Sequence, residues 1–291
     1  MKKILITGAN GLIGDELIGK LSNGNKIYAI TRKVISDKEN VNYIQMDLSS
    51  GLEEDKLPKG IDVIYHLAQS ENFRDFPRKA QDVFRVNTLS TLNLLDYASR
   101  NGCSQFVYAS SGGVYGNSED GFKEDEPLIN KENLGFYLGT KFCSEILVEN
   151  YKSLFNVVIA RFFFVYGPRQ NKTMLIPRLI SNVINAIPIT LFGKEGIVIN
   201  PIYVEDACEA LISIDNEQKI CKINIGGTEE LSLKKIVEVI GEVVGVNPVF
   251  EYVENEPDNL IGNIDKLQNE FYRPTVSIRD GVSKIIGNDK A

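Results

Sequence analysis

Tyr137-Leu-Gly-Thr-Lys141 sets a phenol and an ammonium four residues apart, on one face of any helix that carries them. Upstream, Phe106-Val-Tyr-Ala-Ser110-Ser111-Gly-Gly-Val-Tyr115-Gly116 reads as a strand that ends in two hydroxyls. A phenol, with an ordinary pKa of about 10, is a poor acid or base at neutral pH. A neighbouring ammonium stabilises the phenolate and brings that pKa down, and a serine hydroxyl can hold a substrate oxygen. A hydroxyl of Ser110 or Ser111, the Tyr137 phenol and the Lys141 ammonium are therefore candidate catalytic groups, suited to proton transfer at a carbonyl or alcohol.

A second constellation lies at the N-terminus. The run Ile4-Leu-Ile-Thr7 leads into Gly8-Ala-Asn-Gly11-Leu-Ile-Gly14, with glycines spaced G-x-x-G-x-x-G at a strand-to-helix turn. Gly8 permits the tight turn, Gly11 lets a pyrophosphate approach the backbone, and Gly14 lets the helix lie close to the strand. The helix N-terminus adds N–H groups and a partial positive charge. At the end of the second strand, NAD selection usually places an acidic side chain against the ribose hydroxyls. This chain has Thr31-Arg32-Lys33 there, and two cations suit a 2′-phosphate, so NADP is the expected cofactor, with NAD the alternative.

The elements that must position these groups alternate along the first half. Strands are predicted at Lys3–Thr7, Lys26–Thr31, Val41–Met46, Ile61–His66, Gln105–Ala109 and Val157–Phe162. Helices are predicted at Leu12–Leu21, from about Asp75 to Arg100, and at about Phe136–Leu154. The alternation implies an α/β fold, a doubly wound parallel sheet of the Rossmann type. After Pro168 the pattern becomes irregular: helices at Met174–Ala186, Val204–Ile214 and Leu233–Val244, and short strands at Ile189–Phe192, Ile197–Ile199 and Lys222–Ile225. The expected organisation is a dinucleotide-binding domain over 1–165 with return elements at about 202–227. A smaller C-terminal α/β substrate lobe then takes 166–201 and 228–291.

Composition sets limits on partners. The chain has 291 residues, 43% hydrophobic and 24% charged, the balance of an ordinary globule. A formal charge of −7 repels phosphate backbones, so nucleic acid is not an expected partner. No apolar run approaches the roughly 20 residues of a membrane helix. No signal-peptide cleavage pattern follows the N-terminal apolar run, and a cytoplasmic location is expected. Cys103, Cys143, Cys208 and Cys221 share no metal-ligand spacing and read as reduced thiols. His66, the single histidine, reads as a structural residue at a strand end, and no metal site is expected.

Taken together, the motifs resemble those of an extended short-chain dehydrogenase/reductase, in the NAD-dependent epimerase/dehydratase family that modifies nucleotide sugars. The resemblance also takes in Asp47-Leu48, His66-Leu-Ala68, Val86-Asn87, Arg161–Pro168, Tyr203-Val-Glu-Asp206 and Asn224-Ile-Gly226. It implies that Asp47 and Leu48 border the adenine and that Ala68 and Gln69 line the cofactor backbone. It likewise assigns Asn10, Leu12, Ile13, Leu67 and Asn87 to the cofactor. By the same resemblance Ser111, Tyr137 and Lys141 form the catalytic set: Tyr137 would exchange the proton at a sugar oxygen, and Lys141 would also hold the nicotinamide ribose. It implies a homodimer built on the helices at Asp75–Arg100 and Phe136–Leu154, with Val83, Val86, Leu94, Tyr97, Ile146 and Tyr151 as its apolar faces.

Three departures refine the expectation. Family 4,6-dehydratases usually carry two acidic residues after the catalytic hydroxyl, whereas this chain has Gly112 and Gly113. Phe164 stands where the family usually has Asn, and Ile199-Asn200 where it usually has Arg-Asp. The basic residue that normally precedes a later Gly-Asp pair is missing around Asn255–Asp258. Arg169, Lys172 and Arg178 are the cations left to meet a substrate diphosphate, and Phe164, Ser111, Arg169 and Arg178 are the expected substrate contacts. The favoured activity is reduction of a 4-keto sugar on a nucleotide. The alternatives are a nucleotide-sugar 4-epimerase with retained NAD and, from another class, a non-catalytic dinucleotide-sensing protein.

Overall fold

The computed structural model describes residues 1–116, 121–128, 134–214 and 220–288. In chain order it holds β1 (Lys3–Thr7), α1 (Leu12–Leu21), β2 (Lys26–Thr31), β3 (Val41–Gln45), β4 (Val63–His66), α2 (Ala80–Phe84), α3 (Ser90–Arg100), β5 (Gln105–Ser111), α4 (Gly135–Asn150) and β6 (Asn156–Phe162). Then follow β7 (Val165–Tyr166), α5 (Leu175–Ile184), β8 (Ile189–Phe192), β9 (Val198–Ile199), β10 (Ile202–Tyr203), α6 (Val204–Ser213) and β11 (Ile220–Ile225). The last elements are β12 (Leu231–Ser232), α7 (Leu233–Val244), β13 (Phe250–Val253), α8 (Asp265–Glu270) and α9 (Ile278–Asn288).

The main sheet has seven strands in the order β11-β6-β5-β4-β1-β2-β3. β1 pairs in parallel with both β2 and β4, so the chain winds outward to β3 and then crosses back to β4. This is the expected doubly wound α/β sheet, and the strand order reverses between β1 and β4. Open α/β sheets bind ligands beyond the carboxyl ends of the strands at that point. Central strands are buried on both faces, which is why Ile4-Leu-Ile and Val63-Ile-Tyr are unbroken apolar runs. Leu94, Leu95 and Ala98 of α3 and Val148 of α4 pack with Leu5, Ile64, Phe106, Val157 and Ile159 of the sheet in one apolar layer.

The chain divides into two compact units. The first is Met1–Val114, Leu128–Arg161 and Asp215–Ile223, and the second is Tyr115–Pro127, Phe162–Ile214 and Asn224–Ala291. β10 and α6, at Ile202–Ser213, lie in the second unit, and Ile220–Ile223 of β11 lies in the first. The second unit has three two-stranded sheets, β10-β7, β12-β9 and β13-β8. Asp206 of α6 ties its C-terminal part down: its carboxylate accepts from Tyr272 Oη, from Thr275 N and from Val276 N.

Two elements differ from expectation. The helix expected from Asp75 to Arg100 begins at Ala80 and carries a π turn at Arg85–Leu89. The face expected to be outward is also largely internal: Val83, Leu94 and Tyr97 are buried in the core, and the Tyr97 hydroxyl donates to Pro58 O. The sheet claims them because its central strands need a full apolar cover. The exposed apolar side chains around these helices are instead Phe76, Phe84, Leu89, Leu92 and Ile146.

Candidate functional site

The glycine loop forms the tight turn expected of it. Gly8 has φ +69°, and Gly11 N donates to Gly8 O at 2.9 Å. A Cβ on Gly14 would lie 2.2 Å from Gly8 O, and one on Gly8 would lie 3.0 Å from Ala68 N, so both positions require glycine. The N-cap of α1 is Gly11, and no side chain caps it, which leaves the helix start to a ligand. The turn therefore fits a pyrophosphate. Asn10 is exposed, Leu12 and Ile13 are half-buried on the first turn of α1, and the Asn10 side chain accepts from the Thr31 hydroxyl at 3.0 Å.

Beside the loop, one hydrogen-bonded chain fixes the switch point. Ala68 N donates to Thr7 Oγ1 at 3.1 Å, and Thr7 Oγ1 meets His66 Nδ1 at 2.7 Å. His66 Nε2 meets Thr91 Oγ1 at 2.9 Å, and that hydroxyl donates to Asn87 O at 2.6 Å. Since the Thr91 hydroxyl spends its one proton on Asn87 O, it accepts from His66 Nε2–H, and Nδ1 then accepts from the Thr7 hydroxyl. Burial and then the Lys141 charge hold the His66 pKa down to about 3, so the ring stays neutral. His66 is thus a structural residue at the end of β4.

Asn87 has a similar job. Its side-chain oxygen accepts from Ser70 N at 2.9 Å and its amide nitrogen donates to Thr140 Oγ1 at 3.0 Å. It is buried, and both ends of its amide are engaged by protein. It joins the loop after β4 to α4. Leu67 and Ala68 are half-buried in that loop, and Gln69 is exposed. Leu48 is buried in the core below Asp47, whose exposed carboxylate accepts from Ser49 N at 2.9 Å.

At the end of β2, Thr31 is buried and its hydroxyl also accepts from Lys33 N at 3.1 Å. Arg32 is exposed and forms an ion pair with Glu71. The acidic partner that the Thr31-Arg32-Lys33 sequence lacks is thus supplied by the loop after β4, which no local reading of the second strand could have shown.

The catalytic candidates converge on the carboxyl end of β5. Ser111 closes that strand, and its hydroxyl accepts from Gly113 N at 3.2 Å. Tyr137, Lys141 and Glu145 follow one another at four-residue intervals along α4. Lys141 is buried; its ammonium donates to Ala109 O at 2.9 Å and lies 5.3 Å from the Tyr108 ring centre. Glu145 is fully buried and accepts from Arg161 Nε at 3.0 Å, Arg161 Nη2 at 2.6 Å and Ser110 Oγ. This bidentate pair fastens α4 to β5 and β6. The sequence carried a signal for it: a carboxylate one turn beyond Lys141 on the same face, opposite an arginine within an apolar strand.

Electrostatics at these groups differs from the simple expectation. Burial lowers the Lys141 pKa to about 8, against the raising effect of Glu145. Burial pushes the Tyr137 phenol well above its ordinary value, so the phenol holds its proton and donates to Gln69 Oε1 at 2.8 Å. The expected lowering by Lys141 does not appear: burial is the one cause acting on the phenol, and the Lys141 ammonium donates to Ala109 O. The Tyr137 ring also packs on Phe73, with centres 5.1 Å apart. A Cβ at Gly113 would come within 2.9 Å of Leu138 Cδ2, so α4 crowds the position where dehydratases carry an acid.

The remaining candidates lie in the second unit. Phe164 is half-buried with φ +49°, a left-handed backbone that Asn tolerates better than Phe. Arg169, also left-handed at φ +61°, is exposed, as are Lys172 and Arg178, the last on α5. Ile199 is fully buried in β9. Asn200 is buried too, and its amide bonds Gly227 O, Gly262 O and Gly262 N, so it staples this unit internally.

The family model described as NAD dependent epimerase/dehydratase family matches residues 4–226, more than half of the chain. The chain belongs to that family. It is an extended short-chain dehydrogenase/reductase of the nucleotide-sugar-modifying kind, as the motifs led one to expect. Among curated relatives, an uncharacterized UDP-glucose epimerase of Bacillus subtilis (strain 168), YtcB, is 29% identical over 98% of this chain and 96% of its own length. A UDP-glucuronate 4-epimerase of Thermodesulfobacterium geofontis (strain OPF15) is 26% identical over 98% and 95% respectively. Among solved structures, UDP-glucuronic acid 4-epimerase from Bacillus cereus, in complex with UDP-glucuronic acid and NAD, superposes with a TM-score of 0.87. It is 27% identical and is covered to 99% on both sides. No helix among the described residues is long and apolar enough to cross a membrane.

Proposed function

We propose that this epimerase/dehydratase family member is a nucleotide-sugar 4-epimerase that uses a retained nicotinamide dinucleotide to oxidise and re-reduce C4 of a UDP-linked hexose or hexuronate. The observation that carries the reading is the protonated Tyr137 phenol one helical turn before the buried Lys141 on α4, with Lys141 bonded to Ala109 O of β5, the strand that Ser111 closes. Relatives that bind NAD with UDP-glucuronic acid support it.

A bound nicotinamide dinucleotide supplies the hydride acceptor and donor. The Gly8–Gly14 turn and the start of α1 would hold its pyrophosphate, with the residues around Thr31, Asp47 and Ala68 on its adenosine side. Ser111 donates to the C4 oxygen and fixes its distance from Tyr137. Tyr137 takes the C4 hydroxyl proton in the oxidative half and returns a proton to the C4 oxygen in the reductive half. The raised phenol pKa keeps Tyr137 in the protonated form from which the reductive half starts; both halves pass through the phenolate, which the ammonium of Lys141 would have to stabilise. Gly112 and Gly113 carry no side chain that could act as acid or base in water elimination, which separates this reading from dehydration. Arg169 and Arg178 are assigned to the substrate diphosphate, with Phe164 against the sugar nucleotide. The four cysteines, all reduced, support a cytoplasmic setting, and the exposed apolar side chains on α2, α3 and α4 support a homodimer.

The second reading, NADP-dependent reduction of a 4-keto sugar, is favoured by Arg32 and Lys33 at the end of β2. The two are separated by incubating the protein with UDP-glucose, UDP-galactose and UDP-glucuronate and substoichiometric NAD, and following C4 configuration by NMR. Interconversion without net cofactor consumption is expected. Turnover only with stoichiometric reduced cofactor and a 4-keto substrate would replace epimerase by reductase. No change in any nucleotide sugar, with dinucleotide bound, would point to a sensing protein.

A further inference from the structure

We propose that Glu71, through its ion pair with Arg32, is the residue that sets cofactor choice, directing the site to NAD and against a 2′-phosphate. This rests on the dinucleotide reading above. Arg32 directly follows β2, where the adenosine ribose of a dinucleotide is read. Its guanidinium would be the natural fork for a 2′-phosphate, but it already faces the Glu71 carboxylate.

Glu71 is not placed there by a loose loop. The residue before it is anchored through Ser70 N to Asn87 Oδ1 at 2.9 Å, and the residue after it through Asn72 N to Ser70 Oγ at 3.1 Å. The Ser70 hydroxyl and the Asn72 amide both donate to Asp82 Oδ2. Asp82 adds a second negative charge at this edge. Burial raises its carboxyl, but the bonds from Ser70 and Asn72 and the charges of Lys79 and Arg32 outweigh that and hold it below the ordinary value. Arg32 therefore has the Glu71 carboxylate as its ion-pair partner, with the charge of Asp82 acting on it from further along the same edge. A phosphate monoester carries about −1.5 to −2 charges at pH 7 and would have to displace the Glu71 carboxylate against the charge of Asp82. The exposed Arg32–Glu71 pair is itself weak, so its main effect is repulsion of the wrong ligand rather than stability.

The test is titration of NAD and NADP into cofactor-stripped protein, read by calorimetry, for wild type, Glu71→Gln and Glu71→Gln/Arg32→Ala. Glu71 is exposed, so the variants fold. Wild type is expected to bind NAD more tightly. Glu71→Gln should tighten NADP about tenfold, equivalent to 1.4 kcal/mol, and leave NAD within about twofold. The gain should vanish in the double variant. Equal shifts for both cofactors, or no shift for NADP, would overturn the role of Glu71 while leaving the dinucleotide reading intact. Failure of wild type to bind either cofactor would overturn the dinucleotide reading and this inference with it.

Discussion

Replacing Glu145 by Gln removes the carboxylate from a pair whose side chains are 0% and 2% exposed, Glu145 and Arg161 respectively. The guanidinium loses its counter-charge and one of its two bonds, and faces an amide NH2 instead, at a place water does not reach. Breaking a buried pair by deleting one partner costs about 3–5 kcal/mol, far more than the roughly 0–1 kcal/mol of a surface pair. At about 2–4 °C per kcal/mol for a chain of this size class, the melting temperature should fall by roughly 6–20 °C. Urea unfolding followed by circular dichroism gives the free energy directly. Glu145→Gln/Arg161→Met should recover much of the loss, because an apolar replacement removes the stranded charge. Lys141 supplies an independent readout. Glu145 raises its pKa against the effect of burial, so the double variant should lose Lys141 charge below pH about 8 even when its stability is restored. A loss under about 1 kcal/mol, or a double variant no more stable than the single one, would refute the claim that this pair is isolated from water and fastens α4.

Further outcomes follow from the same geometry. Gly14→Ala, whose Cβ would meet Gly8 O at 2.2 Å, should cost about 1–3 kcal/mol and weaken NAD binding in titration, because the turn must open. Lys141 has a folded pKa of about 8 against an ordinary 10.5, so between those values the unfolded chain holds the proton that the native one has released. Stability should therefore rise with pH across that window, and Lys141→Met should flatten the rise in pH-dependent urea melts. Light scattering at micromolar concentration should give twice the 32.5 kDa chain mass, and Phe84→Glu/Ile146→Glu should halve it; the chain mass at every wild-type concentration would remove the dimer.

The sheet and the glycine turn were legible because their signals are local. A buried parallel strand must be an apolar run, and Gly8 and Gly14 stand where no Cβ fits. The Tyr137–Lys141 spacing placed both on one helix face for the same reason. What escaped sequence reading was set by partners distant in the chain. The ion pair of Arg32 with Glu71, and the engagement of the Asn87 amide by Ser70 and Thr140, join residues that no local stretch of sequence brings together. Val83, Leu94 and Tyr97 looked like a subunit face, since helical periodicity marks an apolar side without saying what covers it. The short strands of the second unit, two residues each at β7, β9, β10 and β12, carry too few residues for any period to show.

The most direct test of the epimerase reading follows a label at the reacting carbon. A UDP-hexuronate carrying deuterium at C4 is incubated with the protein and substoichiometric NAD, alongside Tyr137→Phe. Wild type should give the C4-inverted product with the deuterium still at C4, and Tyr137→Phe should bind the cofactor yet turn over about 10²–10⁴-fold more slowly. Inverted product that has lost its deuterium, or a Tyr137→Phe variant as fast as wild type, would contradict oxidation and re-reduction at C4 with Tyr137 as the proton-transfer group.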